Sequence, residues 1–159
     1  MEGGGSNWWK SIQLIIILEW KQNRRNIEKL CESPISCKPL ETTATLHGKN
    51  YERKALYAFQ DKMNLKTSHC GLFVSKSHSY LGATLDAIIT DHVQAVVEVK
   101  CPFTGRKDKI QPGQNFKFLR EENHKIVLDV GHHYYDQGQG QMYISGYPKC
   151  FFVVYTEVL

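Results

Sequence analysis

The chain has 159 residues, a single-domain length able to bury a real core, and 42% of them are hydrophobic against 23% charged. That balance excludes wholesale disorder, and a net charge of +4 admits a polyanionic partner without demanding one. Five cysteines with no Cys-x-x-Cys pair exclude a structural zinc module and a secreted disulfide scaffold, and they fit a reducing intracellular setting, with nucleus or cytoplasm left open.

The chain opens on a Gly/Ser lead over residues 1–6. From Trp8 to Leu30 a mixed apolar and basic pattern predicts a helix. Within it the apolar run from Ile12 to Leu18, interrupted by Gln13 and closed by Glu19, is too short to span a bilayer and reads as a buried helix or strand. Met1-Glu2-Gly3-Gly4-Gly5 lacks the basic start of a signal peptide, so no membrane partner is expected. Pro34 and Pro39 interrupt any regular element between residues 33 and 39, a linker-like stretch. Residues 1–45 are therefore read as a divergent, partly flexible amino-terminal segment, and residues 46–159 as the folded core.

From about Asn50 to Met63, Ala55, Leu56, Phe59 and Met63 recur at helical spacing and predict a helix with a core-facing stripe. Glu52 stands four residues before Leu56 and points along the same stripe, where a carboxylate is unusual. The plain alternative is a first-turn glutamate favoured by the helix dipole. Strand-like segments follow around Gly71 to Val74, Tyr80 to Thr90 and Gln94 to Cys101, with Thr90-Asp91-His92-Val93 as the turn between the last two. Such a hairpin sets Asp86 and Glu98 on neighbouring strands, within reach of one ion at the about 2.0–2.1 Å typical of magnesium.

Val96-Val97-Glu98-Val99-Lys100-Cys101-Pro102 carries the sharpest signal. A valine run closed by proline reads as an interior strand, yet Glu98 and Lys100 project from one face of it. Buried charges need a partner such as a metal, a phosphate or another carboxylate, and Asp86 is the nearest candidate. An exposed i, i+2 ion pair is the competing reading.

Residues 103–124 are basic, with Arg106, Lys107, Lys109, Lys117 and Arg120, and read as a long surface loop with little packing that could track a phosphate backbone. A helix is predicted over 132–144, with Tyr135, Gly138 and Met142 on one face, although its glycines lower its propensity. Cys150 to Thr156, aromatic and β-branched, closes the chain as a strand. His124, His132 and His133 read as surface or phosphate-facing groups, because no cysteine or carboxylate completes a zinc spacing. Cys101 reads as structural, with no histidine placed to activate it.

Taken in order, Gly48-x-x-x-Glu52, Asp86, Glu98-Val99-Lys100-Cys101-Pro102-Phe103-Thr104 and Tyr134-x-x-Gln137-x-Gln139 resemble the YqaJ viral recombinase family, which includes lambda exonuclease-like enzymes within the PD-(D/E)XK nuclease superfamily. The resemblance covers roughly residues 46–156. It implies an α/β restriction-endonuclease-like core, a central mixed β-sheet flanked by helices. It further implies a deoxyribonuclease using magnesium or manganese ions, most simply an exonuclease acting on duplex DNA ends in recombination or in viral or mobile-element DNA processing.

The implied roles follow residue by residue. Asp86 and Glu98 hold the metal, with a strand carbonyl near Val99, and Glu52 completes its environment. Lys100 orients the attacking water and offsets phosphate charge, while Gln137 positions water or the scissile phosphate. Hard oxygen donors suit these ions, and phosphodiester hydrolysis needs a polarised phosphoryl oxygen and an acidified water. Ring-forming relatives imply a homo-oligomer, although no self-complementary surface pattern is visible.

Two departures stand out. Leu85 and Ala87 flank Asp86 where the superfamily often carries proline and glycine. Residues 1–30 do not map onto the arginine and serine-bearing segment by which family members grip a DNA end, and Arg24 and Arg25 are the candidates to replace it. That second departure keeps an alternative open: a catalytically inactive, nuclease-derived DNA-binding module.

Overall fold

A computed structural model describes residues 12–19 and 42–158. The Gly/Ser lead, Arg24, Arg25 and the proline-bearing stretch lie outside the described residues. Ile12–Glu19 forms strand β1, so of the two readings of the Ile12–Leu18 run the strand holds, and the helix predicted from Trp8 to Leu30 does not extend through it. Four consecutive β-branched or γ-branched apolar residues, Leu14 to Ile17, suit a pleated surface better than a helix turn.

Helix α1 covers Thr43–Met63 and starts well before Asn50. The apolar stripe marks only its buried part, and its first turns are fixed by a capping box. Thr45 donates its backbone N–H to Thr42 Oγ1 at 3.2 Å, and Thr42 donates its own to Thr45 Oγ1 at 3.1 Å. Asn64 ends the helix in the left-handed conformation at φ 52°.

Eight strands and a second helix follow among the described residues: β2 Thr67–Ser68, β3 Leu72–Val74, β4 Gly82–Thr84, β5 Ala87–Ile89, β6 Ala95–Lys100, β7 Leu119–Glu122, β8 Lys125–Leu128 and, after helix α2 His133–Ser145, β9 Lys149–Tyr155. The main sheet runs in the order β1-β9-β6-β5-β2. Among the described strands only β6 and β9 pair in parallel; β1 on β9, β5 on β6 and β2 on β5 are antiparallel. The sheet is therefore mixed, as expected, and β1 joins it at one edge.

Strand alternation divides the sheet into two cores. Ala95, Val97 and Val99 of β6 and Phe151, Val153 and Tyr155 of β9 pack with Ala55, Leu56, Ala58 and Phe59 of α1. Val96, Phe152 and Val154 face the other way, toward Met142 of α2, together with Leu18. By the same alternation Glu98 and Lys100 belong to the α2 side.

Two further regions differ from the sequence reading. The stretch Tyr80 to Thr90 is two strands, β4 and β5, broken at Leu85-Asp86, and β4 pairs with β3 in a separate two-stranded sheet. Residues 103–124 are packed: Ile110, Phe116, Phe118 and Leu119 are buried, and β7 pairs with β8 in a hairpin. Basic residues dominate this stretch in number, and they hide widely spaced apolar anchors. Among the described residues no helix is long and apolar enough to cross a membrane.

Candidate active site

The break between β4 and β5 exists because Asp86 turns back into the protein. Its carboxylate Oδ2 accepts the backbone N–H of Val99 at 2.7 Å. The last β5–β6 pair is Ala87 with Val97, so this contact lies just past the end of the ladder. A residue in a strand sends its N–H and its C=O to the same edge, which aims the Val99 carbonyl at the edge where Asp86 sits.

Glu98, only 3% exposed, is held by three donors. Its Oε1 accepts from Lys100 Nζ at 2.5 Å and from Gln137 Nε2 at 2.6 Å, while Oε2 accepts from Gln141 Nε2 at 2.7 Å. Lys100 also donates to Gln137 Oε1 at 3.1 Å, which closes a triangle of lysine, glutamate and glutamine. The ammonium lies 4.6 Å from the centre of the Tyr134 ring, on the first turn of α2. Tyr134 in turn packs on Phe118 at 5.2 Å and on Phe152 at 5.9 Å between ring centres. The exposed ion pair is thereby set aside: with the side chains of Lys100 and Glu98 18% and 4% exposed, the pair is buried.

Burial first, and then the charge of Glu98, raises the Asp86 carboxyl to about 7, against the opposing effect of the Val99 hydrogen bond. Glu52 adds a smaller push in the same direction, which brings it into the electrostatic neighbourhood of the site. Cys101, beside Lys100, is pushed up to about 12 by burial, then by Glu52 and Asp86, so its thiol stays protonated and unreactive.

The sequence candidates thus separate by place. Asp86, Glu98, Lys100, Gln137 and Val99 converge on one end of β6. Glu52, on α1, acts on Asp86 and Cys101 through its charge, and α1 packs on the face of the sheet opposite α2. No group of three or more His, Cys, Asp or Glu side chains among the described residues is close enough to hold an ion together. Two carboxylates and a backbone carbonyl remain as the hard-oxygen set, and the burial and, after it, the Glu98 charge that raise Asp86 are conditions a divalent cation relieves. The donor set fits magnesium or manganese. Of the histidines, His132 caps α2, its Nδ1 accepting the Tyr134 N–H at 3.2 Å, and its ring is packed on His133.

Sequence reasoning missed Gln141. The signal was present: Gln137 and Gln141 are one helical turn apart and share a face, and both reach Glu98.

A mixed sheet with an aspartate at a strand break, Glu-x-Lys on the next strand and a helix of glutamines over it defines a restriction-endonuclease-like core. The same fold is found in the alkaline exonuclease of Laribacter hongkongensis, at a TM-score of 0.52 and 22% identity over 73% of this chain and 52% of that one. Its complex with dAMP aligns at a TM-score of 0.53 and 21% identity over 76% of this chain and 53% of that one. The chain spans about half the length of these exonucleases. The YqaJ-like viral recombinase domain matches residues 4–148, and the chain belongs to that family. No curated protein shows a significant match.

Proposed function

We propose that this protein is a metal-dependent deoxyribonuclease, an exonuclease that hydrolyses phosphodiester bonds from the ends of duplex DNA during recombination or viral DNA processing. The observation that carries the reading is the convergence of Asp86, Glu98, Lys100 and Gln137 at one end of β6, in a chain of the YqaJ-like family. Asp86, Glu98 and the Val99 carbonyl would hold magnesium or manganese, with Glu52 contributing charge from α1. A bound ion of this kind would supply Lewis-acid polarisation of a phosphoryl oxygen and would lower the pKa of a bound water below that of bulk water.

The chain's own residues account for the rest. Lys100, held between Glu98 and Gln137, orients the attacking water and faces the charge that grows on the phosphate. Gln137 donates to Glu98 through Nε2 and accepts from Lys100 through Oε1, so its amide fixes both groups. As the water oxygen bonds to phosphorus, the bond to the leaving sugar oxygen breaks; the water proton is released and the leaving alkoxide takes up a proton. Tyr134, itself packed on Phe118, covers one side of the lysine ammonium and strengthens its field.

The test is magnesium-dependent release of nucleotides from linear duplex DNA. Glu98→Gln and Lys100→Ala should each lower the rate at least about 100-fold with the fold retained, and unchanged rates in both variants would reject the assignment. A covalently closed circular substrate separates endonuclease action. One observation favours a second reading, a DNA-binding module without catalysis: both oxygens of Glu98 are already engaged by protein donors. Binding to DNA with no cleavage in magnesium or manganese would select it.

A further inference from the structure

Gln141 is 4% exposed and stands in the middle of α2. Its Nε2 lies 2.7 Å from Glu98 Oε2 and 3.2 Å from the carbonyl oxygen of Thr84. Both neighbours are acceptors, so the atom between them must be the nitrogen, and both of its hydrogens are used. The amide orientation is therefore set by its contacts. Its Oε1 is left buried with no hydrogen-bond partner among the described residues.

A buried acceptor without a partner is destabilising, by more than an ordinary hydrogen bond gains. Gln141 accepts that penalty while keeping both donors in place. What the donors join is informative. Thr84 is the last residue of β4, two positions ahead of Asp86, and Glu98 is the carboxylate opposite it on β6. One amide group thus ties the loop that carries Asp86 to the free side of the Glu98 carboxylate. Gln137 and Lys100 both act on the other oxygen, Oε1. Gln141 holds Oε2, so the two oxygens are fixed from different sides and the carboxylate plane is defined by all three donors.

We propose that Gln141 is a positioning residue that sets the Glu98 carboxylate plane relative to Asp86 for divalent-cation binding. This rests on the nuclease reading in taking Glu98 as a metal ligand. Groups that orient a metal ligand typically carry 10- to 100-fold in metal affinity or activity.

Three substitutions test it in the full chain. Gln141→Met and Gln141→Leu fill similar space without a donor, and either serves if the other fails to fold; Gln141→His keeps an N–H donor. Manganese chloride is titrated into each protein by calorimetry, and hydrolysis of linear duplex DNA is followed in parallel. Loss of the donor should weaken manganese binding about 10- to 100-fold and lower kcat by a similar factor with KM for DNA unchanged, and Gln141→His should recover part of both. A merely structural role would lower the melting temperature while leaving manganese affinity per folded molecule as in the wild type, and equal affinities would overturn the inference alone. Manganese binding that depends on Gln141 without DNA cleavage by the wild type would sustain the inference and overturn the nuclease reading. No manganese binding by the wild type at millimolar concentration would overturn both.

Discussion

Asp86 shows how one residue can work against the stability of the fold that holds it. Its carboxyl is raised from 3.8 to about 7, chiefly by burial and then by Glu98, so ionisation opposes folding. Below about pH 4 the carboxyl is protonated in both folded and unfolded chains and the penalty is absent. Between about pH 4 and pH 7 the unfolded chain ionises first, and stability falls until the folded carboxyl has also ionised. Asp86→Asn removes the charge and keeps the shape. In a chelating buffer at pH 8 the variant should melt several degrees above the wild type, since about 1 kcal/mol corresponds to about 2–4 °C in a chain of this size. The gap should close as the pH falls to 4, and magnesium should raise the melting temperature of the wild type but not of the variant. A variant that melts below the wild type at pH 8 in chelator would show that the Val99 hydrogen bond outweighs the buried charge.

At the scale of elements, α2 determines whether the site is assembled. Gln137 and Gln141 reach Glu98 because the helix lies close to the sheet, and Gly138 permits that approach. A Cβ at Gly138 would stand 2.8 Å from Leu18 Cδ1 of β1 and 3.8 Å from Cys150 Sγ of β9. Gly138→Val should push α2 outward and withdraw both glutamines from Glu98. Activity should fall at least about 10-fold, beyond what the loss of folded protein explains, because small misplacements of positioning groups are costly. Circular dichroism alongside kinetics separates the two effects. Helix α1 gives a complementary case at a distance from the chemistry: Thr42→Ala removes the capping oxygen and should cost about 1 kcal/mol in urea unfolding with activity unchanged.

For the whole molecule, the mixed sheet is the frame, and its edge is closed by residues far from the motifs. β1 pairs with β9 from Ile12 opposite Tyr155 to Glu19 opposite Lys149, and Leu18 is buried beside Phe152 and Val154 in the α2-side core. Deleting residues 1–19 would expose the backbone edge of β9 and uncover that core. The shortened chain should aggregate or unfold at a clearly lower urea concentration than the full chain, as size-exclusion chromatography and a denaturant titration would show. An unchanged midpoint would mean that α1, α2 and β6 suffice to hold β9.

The sequence by itself singled out the charged and polar residues that the structure brings together at one end of β6. Glu98 and Lys100 in a valine run, Asp86 in the preceding apolar stretch and Gln137 on a later helix were legible, because buried charge is costly enough to be conspicuous wherever the pattern is apolar. The helix stripe of α1 and the closing strand were legible for the same reason, through the periods of apolar burial. Contacts made across the sequence were not. The break at Asp86, the pairing of Ile12–Glu19 with β9, the packing of Ile110, Phe116 and Phe118, and the bond from Gln141 to Glu98 all depend on which surfaces meet. A local pattern records that a side chain is apolar or polar; only the tertiary structure assigns its partner, because the partner lies tens of residues away and is chosen by the packing of the sheet between two helices.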